Sequence, residues 1–224
     1  MTAIFLCCAP FVAAQSPIRR MPDGKPDFSG VWEHPPVLDV TKDGKNQKGA
    51  GELSYTEWAK AHLVEDVDSA AHCLPLGYVR NLGTPFVMEI VQRPARLVFL
   101  HEFNNEFHVV FMDGRGHPSD LEPTWGGHSI GKWDGDTLVI DTTGFNEKTR
   151  LDVVGHPHTD AMRVMERYTL VDADHIAYEI AIDDPKAYTK ALKNTRTFVR
   201  HPGWEVSEYS CNENNKDILE GHVK

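Results

Sequence analysis

The sequence predicts an all-β fold: a mainly antiparallel sheet closed, or nearly closed, into a barrel, with one α-helix. Three observations predict it. From Phe86 onward apolar and polar residues alternate with period two in short runs. Turn-forming residues separate those runs, and Asp134-Gly135 is the strongest hairpin signal. Helical spacing is confined to "LSYTEWAKAHLVED", residues 53–66.

The elements follow in chain order. Residues 1–14, "MTAIFLCCAPFVAA", form an apolar run ending in small residues before Gln15. That pattern is expected of a secretory signal peptide, and a buried N-terminal segment is the other reading. The run is too short for a permanent membrane anchor. Residues 15–224 are then expected to form a single barrel domain, periplasmic or secreted. "PDFSGVWE" supplies a first strand at Phe28–Glu33, and "TKDGKNQKGAG" (41–51) a polar loop. In the helix, Ser54 with Glu57 makes a capping box. Trp58, Ala61 and His62 or Val64 share one face. Residues 68–85 read as a loop. Strands are expected at 86–92, 96–102, 106–113, 128–134, 137–144, 163–170, 175–183, 195–201 and 204–210. Asn104-Asn105 and Asp172-Ala173-Asp174 join neighbouring strands.

A chain of 224 residues with 41% hydrophobic residues is enough for one domain with a real core. A net charge of −10 disfavours nucleic acid and anionic membrane surfaces as partners. The partner expected is a small organic molecule, and the composition leaves monomer and homo-oligomer open. Cleavage of a leader would remove Cys7 and Cys8 and leave Cys73 and Cys211. In an oxidising compartment two cysteines suggest one disulfide, and two buried thiols are the alternative. A bridge closing so long a loop contributes roughly 4–5 kcal/mol in the chain-entropy account.

Several segments together resemble a widespread family of exported bacterial proteins. They are "PDFSGVW", "CLPLG", "MDGRGHP", "PTWGGHSIGKWDGDTLVIDTTGFN", "LDVVGHPHTD", "IDDPKAYT" and "EYSCNENN". The resemblance covers most of the chain and brings no reaction with it. It implies export, a β-rich fold and the pairing of Cys73 with Cys211. The chain departs from the family's pattern at His128, where that family's residues vary. Gly30-x-Trp32 on the first strand, with arginines in "TRTFVR", also resembles the lipocalin or calycin barrel, in which a GxW packs under an arginine.

Candidate chemistry lies in three stretches. In "RVMERYTL" alternation puts Val164, Glu166, Tyr168 and Leu170 on one face. If that face lines the barrel, desolvation raises the Glu166 carboxyl pKa toward the range useful for a general acid or base. A structural pair with an interior arginine is the other reading. In "GHPHTD", His156 and His158 point the same way from extended chain. They form a half-site for zinc, copper or iron, with Asp160, Glu166, His101, His117 or His128 to complete it. A hydrogen-bonded turn, metal-free, competes with that. In "MDGRGHPSD", Arg115 is placed to steady negative charge and His117 to move a proton. Asp113 and Arg115 forming a plain surface pair is the alternative. Trp125 in "PTWGG" offers a stacking face or a core plug. There is no G-x-S-x-G elbow, P-loop, dinucleotide fingerprint or H-E-x-x-H.

The combined expectation is a pocket at one barrel mouth. His117 or His158 is the base, Glu166 the acid partner and Arg115 the anion stabiliser. Trp125, Tyr168 and His128 contact substrate, and His156, His158 and Asp160 are candidate metal ligands. The activity expected is that of a lyase or hydrolase working by proton transfer, without a cofactor or with a divalent metal. A lipocalin-like carrier of a small ligand, or a metal-binding protein, is the competing expectation.

Overall fold

Period-two alternation becomes the wall of a barrel in the computed structural model, which describes residues 17–63, 72–211 and 213. The expected leader, residues 1–14, lies outside the described residues. The strands are β1 (Gly30–Glu33), β2 (Gln47–Lys48), β3 (Met88–Arg93), β4 (Arg96–His101), β5 (Phe107–Phe111), β6 (His128–Asp134), β7 (Thr137–Thr143), β8 (Arg163–Leu170), β9 (His175–Asp183) and β10 (Leu192–Arg200). Nine of them close on themselves in the order β1-β3-β4-β5-β6-β7-β8-β9-β10, and β1 pairs again with β10. The short β2 adds to the free side of β10. The all-β barrel expected from the pattern is therefore the fold.

The closure is not a pure meander. β5 and β6 pair in parallel, with Val110 opposite Ser129. Parallel neighbours need a crossover rather than a hairpin. Residues 112–127 make it without a helix or strand of their own. The other pairings are antiparallel.

Alternation decides what faces inward. Val164, Glu166, Tyr168 and Leu170 of β8 are buried, while Arg163 stands outside. Ile176, Tyr178, Ile180 and Ile182 of β9 match them, as do Leu192, Asn194, Arg196 and Phe198 of β10. Register then builds rows. Ile140, Glu166, Ile180 and Asn194 lie side by side across four strands, and Leu138, Tyr168, Tyr178 and Arg196 form the next row. Phe28, Trp32, Phe99 and Phe198 add large buried apolar rings.

Several local expectations are corrected. The helix α1 is only Glu57–Ala61, and its cap is Thr56, whose side chain accepts from Ala59 N, not Ser54. Residues 64–66 of the expected helix lie outside the described residues. A second helix, α2 (Tyr78–Asn81), stands where a loop was expected, and all four of its residues are buried. Residues 204–210 form no strand. The polar loop at 41–51 carries β2. Two turns behave as their sequences imply: Gly135 takes φ +62° in the β6–β7 hairpin, and Asn104 and Asn105 both adopt positive φ.

Cys73 and Cys211 are bonded, with Cα atoms 5.4 Å apart and 138 positions between them. The bridge pins the segment leading into α2 to the C-terminal tail. No helix among the described residues is long and apolar enough to cross a membrane.

Candidate functional site

The centre of the barrel is polar. Glu166 has no exposed surface. Its Oε1 accepts hydroxyl hydrogen bonds from Tyr168 at 2.9 Å, Tyr178 at 2.9 Å and Tyr78 at 3.1 Å. Tyr168 follows by two on the same strand, and Tyr178 comes from the adjacent row on β9. Tyr78 enters from α2, whose residues are all buried. The other oxygen, Oε2, is buried with no hydrogen-bond partner.

Burial pushes the Glu166 carboxyl up from 4.5 to about 7, against the three hydroxyls and the charge of Arg196, which favour the anion. Burial and the nearby carboxylate push the three tyrosine hydroxyls well above their ordinary range, so they remain donors. Arg196 is 3% exposed and gives its hydrogen bonds to Leu82 O at 2.6 Å and Asn194 Oδ1 at 3.0 Å. Its guanidinium also lies 5.5 Å from the Tyr178 ring centre.

Histidines complete the interior. His108 stacks on Tyr78 at 3.8 Å and its Nε2 meets Ser129 Oγ at 2.6 Å, which in turn meets Thr142 Oγ1 at 2.6 Å. His34 and His101 are buried, and both nitrogens of each ring lack a partner. Desolvation lowers all three, His34 and His108 to about 3 and His101 to about 4, so they are neutral near pH 7.

The single mouth pocket expected from the sequence is not formed; its residues fall into three groups. Glu166 and Tyr168 come together in the interior. Arg115, His117 and His128 lie on the outside of the wall. There His117 Nδ1 is 2.9 Å from His128 Nδ1, and His117 Nε2 is 3.7 Å from Asp141, which also pairs with Arg163. Arg115 is tied to Asp113 and lies 4.1 Å from the Phe111 ring centre. The separation follows from pleating: Ser129 and Ile140 face inward, so their neighbours His128 and Asp141 face out. This outer cleft is about 280 Å³ and is lined by Arg115, Ile130, Lys132, Asp141, Arg163 and Met165. Trp125 is half-buried in the crossover, with the Lys148 ammonium 5.6 Å from its ring centre.

The third group is the 150–160 segment. His156 Nδ1 is 2.6 Å from Asp152 Oδ2, and Asp152 also accepts from the backbone N–H groups of Val40, Gly155 and His156. His158 Nε2 turns instead to Thr149 Oγ1 at 2.6 Å, and Asp160 is exposed and pairs with Lys186. The expected half-site of His156, His158 and Asp160 is thus not assembled, because each side chain already has a different partner. Among the described residues, the group whose donor atoms lie within 4.8 Å of one another is Asp39, Asp152 and His156. Both oxygens of Asp152 are engaged by hydrogen bonds, and Asp39 Oδ1 by Thr41.

Tyr78, Tyr178, His34, His101, His108 and Arg196 carry the interior, and of these only His101 stood among the sequence candidates. Tyr178 and Arg196 share the parity of apolar neighbours on their strands, so alternation marks them; His108 does not, because Phe107, Val109 and Phe111 make the other face of its strand the more apolar one. Tyr78 had no such signal, because a four-residue helix is too short for periodicity.

Fold and site together define a closed β-barrel whose described interior is lined by aromatic rings around the buried Glu166 carboxyl group. No family model matches the chain, and no curated protein matches it.

Proposed function

We propose that the barrel interior is a proton-transfer site and that the protein is an exported enzyme, a lyase or hydrolase, acting on a small organic molecule. One observation carries this: Glu166 is sealed in the wall with Oε1 triply bonded and Oε2 without a partner. A carboxyl titrating near 7 exchanges a proton readily at neutral pH. Three hydroxyls fix it in place and offset its charge when it ionises. In this reading Glu166 gives or takes the proton, and Tyr78, Tyr168 and Tyr178 position it. The disulfide and the leader-like residues 1–14 support a periplasmic or secreted location.

A non-catalytic carrier is the second reading. It is favoured by the packing of Arg200 against Gly30, two residues before Trp32, which resembles the lipocalin arrangement. The two readings separate in heavy water. The wild-type protein is incubated with a panel of carbonyl, ester and hydroxy compounds, and deuterium incorporation and product formation are followed by NMR. We expect turnover of at least one class and a loss of about 10²–10⁴-fold in Glu166→Gln. Compounds that bind and return unaltered, or turnover indifferent to Glu166→Gln, sink the enzyme reading.

A further inference from the structure

We infer that His34 and His101 form a subsite inside the barrel for an uncharged aromatic molecule bearing a hydroxyl group, a phenol in the simplest case. The inference rests on the interior being the working site and names the kind of molecule it takes.

Register brings the two rings to one end of the barrel. Trp32 of β1 lies opposite Met88 of β3, and Met88 lies opposite His101 of β4. His34 follows two residues after Trp32 and packs on Phe198 at 5.7 Å. His101 meets the edge of Tyr78 at 6.5 Å, and Tyr78 in turn reaches Glu166. The other buried histidines are committed: His108 to Ser129, His156 to Asp152 and His158 to Thr149. His34 and His101 are 1% and 3% exposed, yet four ring nitrogens have no partner. Buried polar atoms without partners are costly, and such atoms concentrate where something is bound.

The chemistry of the ligand follows from the protonation state. A neutral imidazole offers one donor and one acceptor. A hydroxyl matches both roles, whereas a carboxylate only accepts and an ammonium only donates. Burial keeps both rings neutral, so neither balances an anion. The nearby cation, Arg196, already donates to Leu82 and Asn194. The surroundings of the two imidazoles are aromatic, with Phe198 beside His34, Tyr178 stacked on Phe198 and Tyr78 beside His101, and such surroundings suit a ring better than a flexible chain.

The test uses the full protein with ¹⁵N-labelled histidine and p-cresol as the probe. p-Xylene has the same outline without the hydroxyl, p-toluate carries a charge, and zinc chloride tests a metal pair. We expect p-cresol to shift the side-chain nitrogens of His34 and His101. The xylene and the toluate should bind at least about tenfold more weakly, as should p-cresol to His34→Leu or His101→Leu. The wild-type shifts decide the matter even if a variant fails to fold. Unmoved imidazoles, equal binding of p-xylene, or stoichiometric zinc on both rings overturns the inference. If p-cresol fails while turnover still depends on Glu166, this inference alone falls. If p-cresol binds while turnover ignores Glu166→Gln, the proton-transfer reading alone falls.

Discussion

The hydroxyl of Tyr78 donates to Glu166 Oε1 at 3.1 Å across 88 positions of sequence. It couples α2 to the buried carboxyl group on β8. Tyr78→Phe removes one of three donors and leaves the ring stacked on His108. We expect a further rise in the Glu166 pKa, read by carbon-13 NMR of the labelled carboxyl, because one group favouring the anion is gone.

Glu166 also sets a pH dependence of stability. Its folded value, about 7, lies above its ordinary 4.5. Its contribution is therefore complete below 4.5 and is lost as pH rises through 7. Up to about 3 kcal/mol is involved. Glu166→Gln should flatten denaturant midpoints over that window; an unchanged slope would show that the carboxyl titrates normally.

The interior histidines act with the opposite sign. Their folded values are depressed to about 3 or 4 from 6.5. The stability they confer is present above 6.5 and lost as pH falls through 4 for His101 and through 3 for His34 and His108, by up to about 3 kcal/mol for the first and about 5 kcal/mol for each of the others. Urea midpoints should drop steeply on acidification, and less steeply in His101→Leu. A flat acid limb in the wild type would contradict their burial as neutral rings.

Much of the barrel was legible from residue order, and its polar centre was legible only in part. Alternation placed Glu166 and Tyr168 on one face because a strand has only two faces to choose from. The same rule could not say that His128 and Glu166 face opposite sides of the wall, since parity is defined within a strand and register links strands. The parallel β5–β6 junction was hidden because residues 112–127 carry no helical pattern to announce a crossover. Tyr78 was hidden for a related reason: α2 takes its place from tertiary packing, not from propensity. His156 was read as a ligand, but its partner Asp152 sits four residues earlier, outside the spacing considered.

Gly30 has φ +133°, and a Cβ there would lie 3.0 Å from Arg200 Nε. Gly30→Ala should cost about 1–3 kcal/mol from backbone strain alone. Chemical denaturation would show it, and a variant as stable as wild type would mean that β1 relaxes freely.

Asp152 ties residues 37–41 to the 150–158 loop through Val40, Gly155 and His156. Asp152→Ala leaves those donors buried without an acceptor. A loss of about 3 kcal/mol or more is expected in equilibrium unfolding, since each stranded donor carries a penalty. A loss below 1 kcal/mol, on the scale of about one ordinary hydrogen bond, would contradict this role.

The parallel junction divides the wall into two stretches of neighbouring strands, β3 to β5 and β6 to β10, which fold back on themselves locally. Among the described strands, this junction and the pairings of β1 and β2 with β10 stitch the stretch ending at β5 to the stretch beginning at β6. A single backbone break within 113–123 would therefore cut no strand and separate two pieces that are each mostly self-paired. Such pieces are the natural halves for reassembling the protein from two polypeptides. The Cys73–Cys211 bond, with one cysteine in each half, would hold them together covalently after the cut.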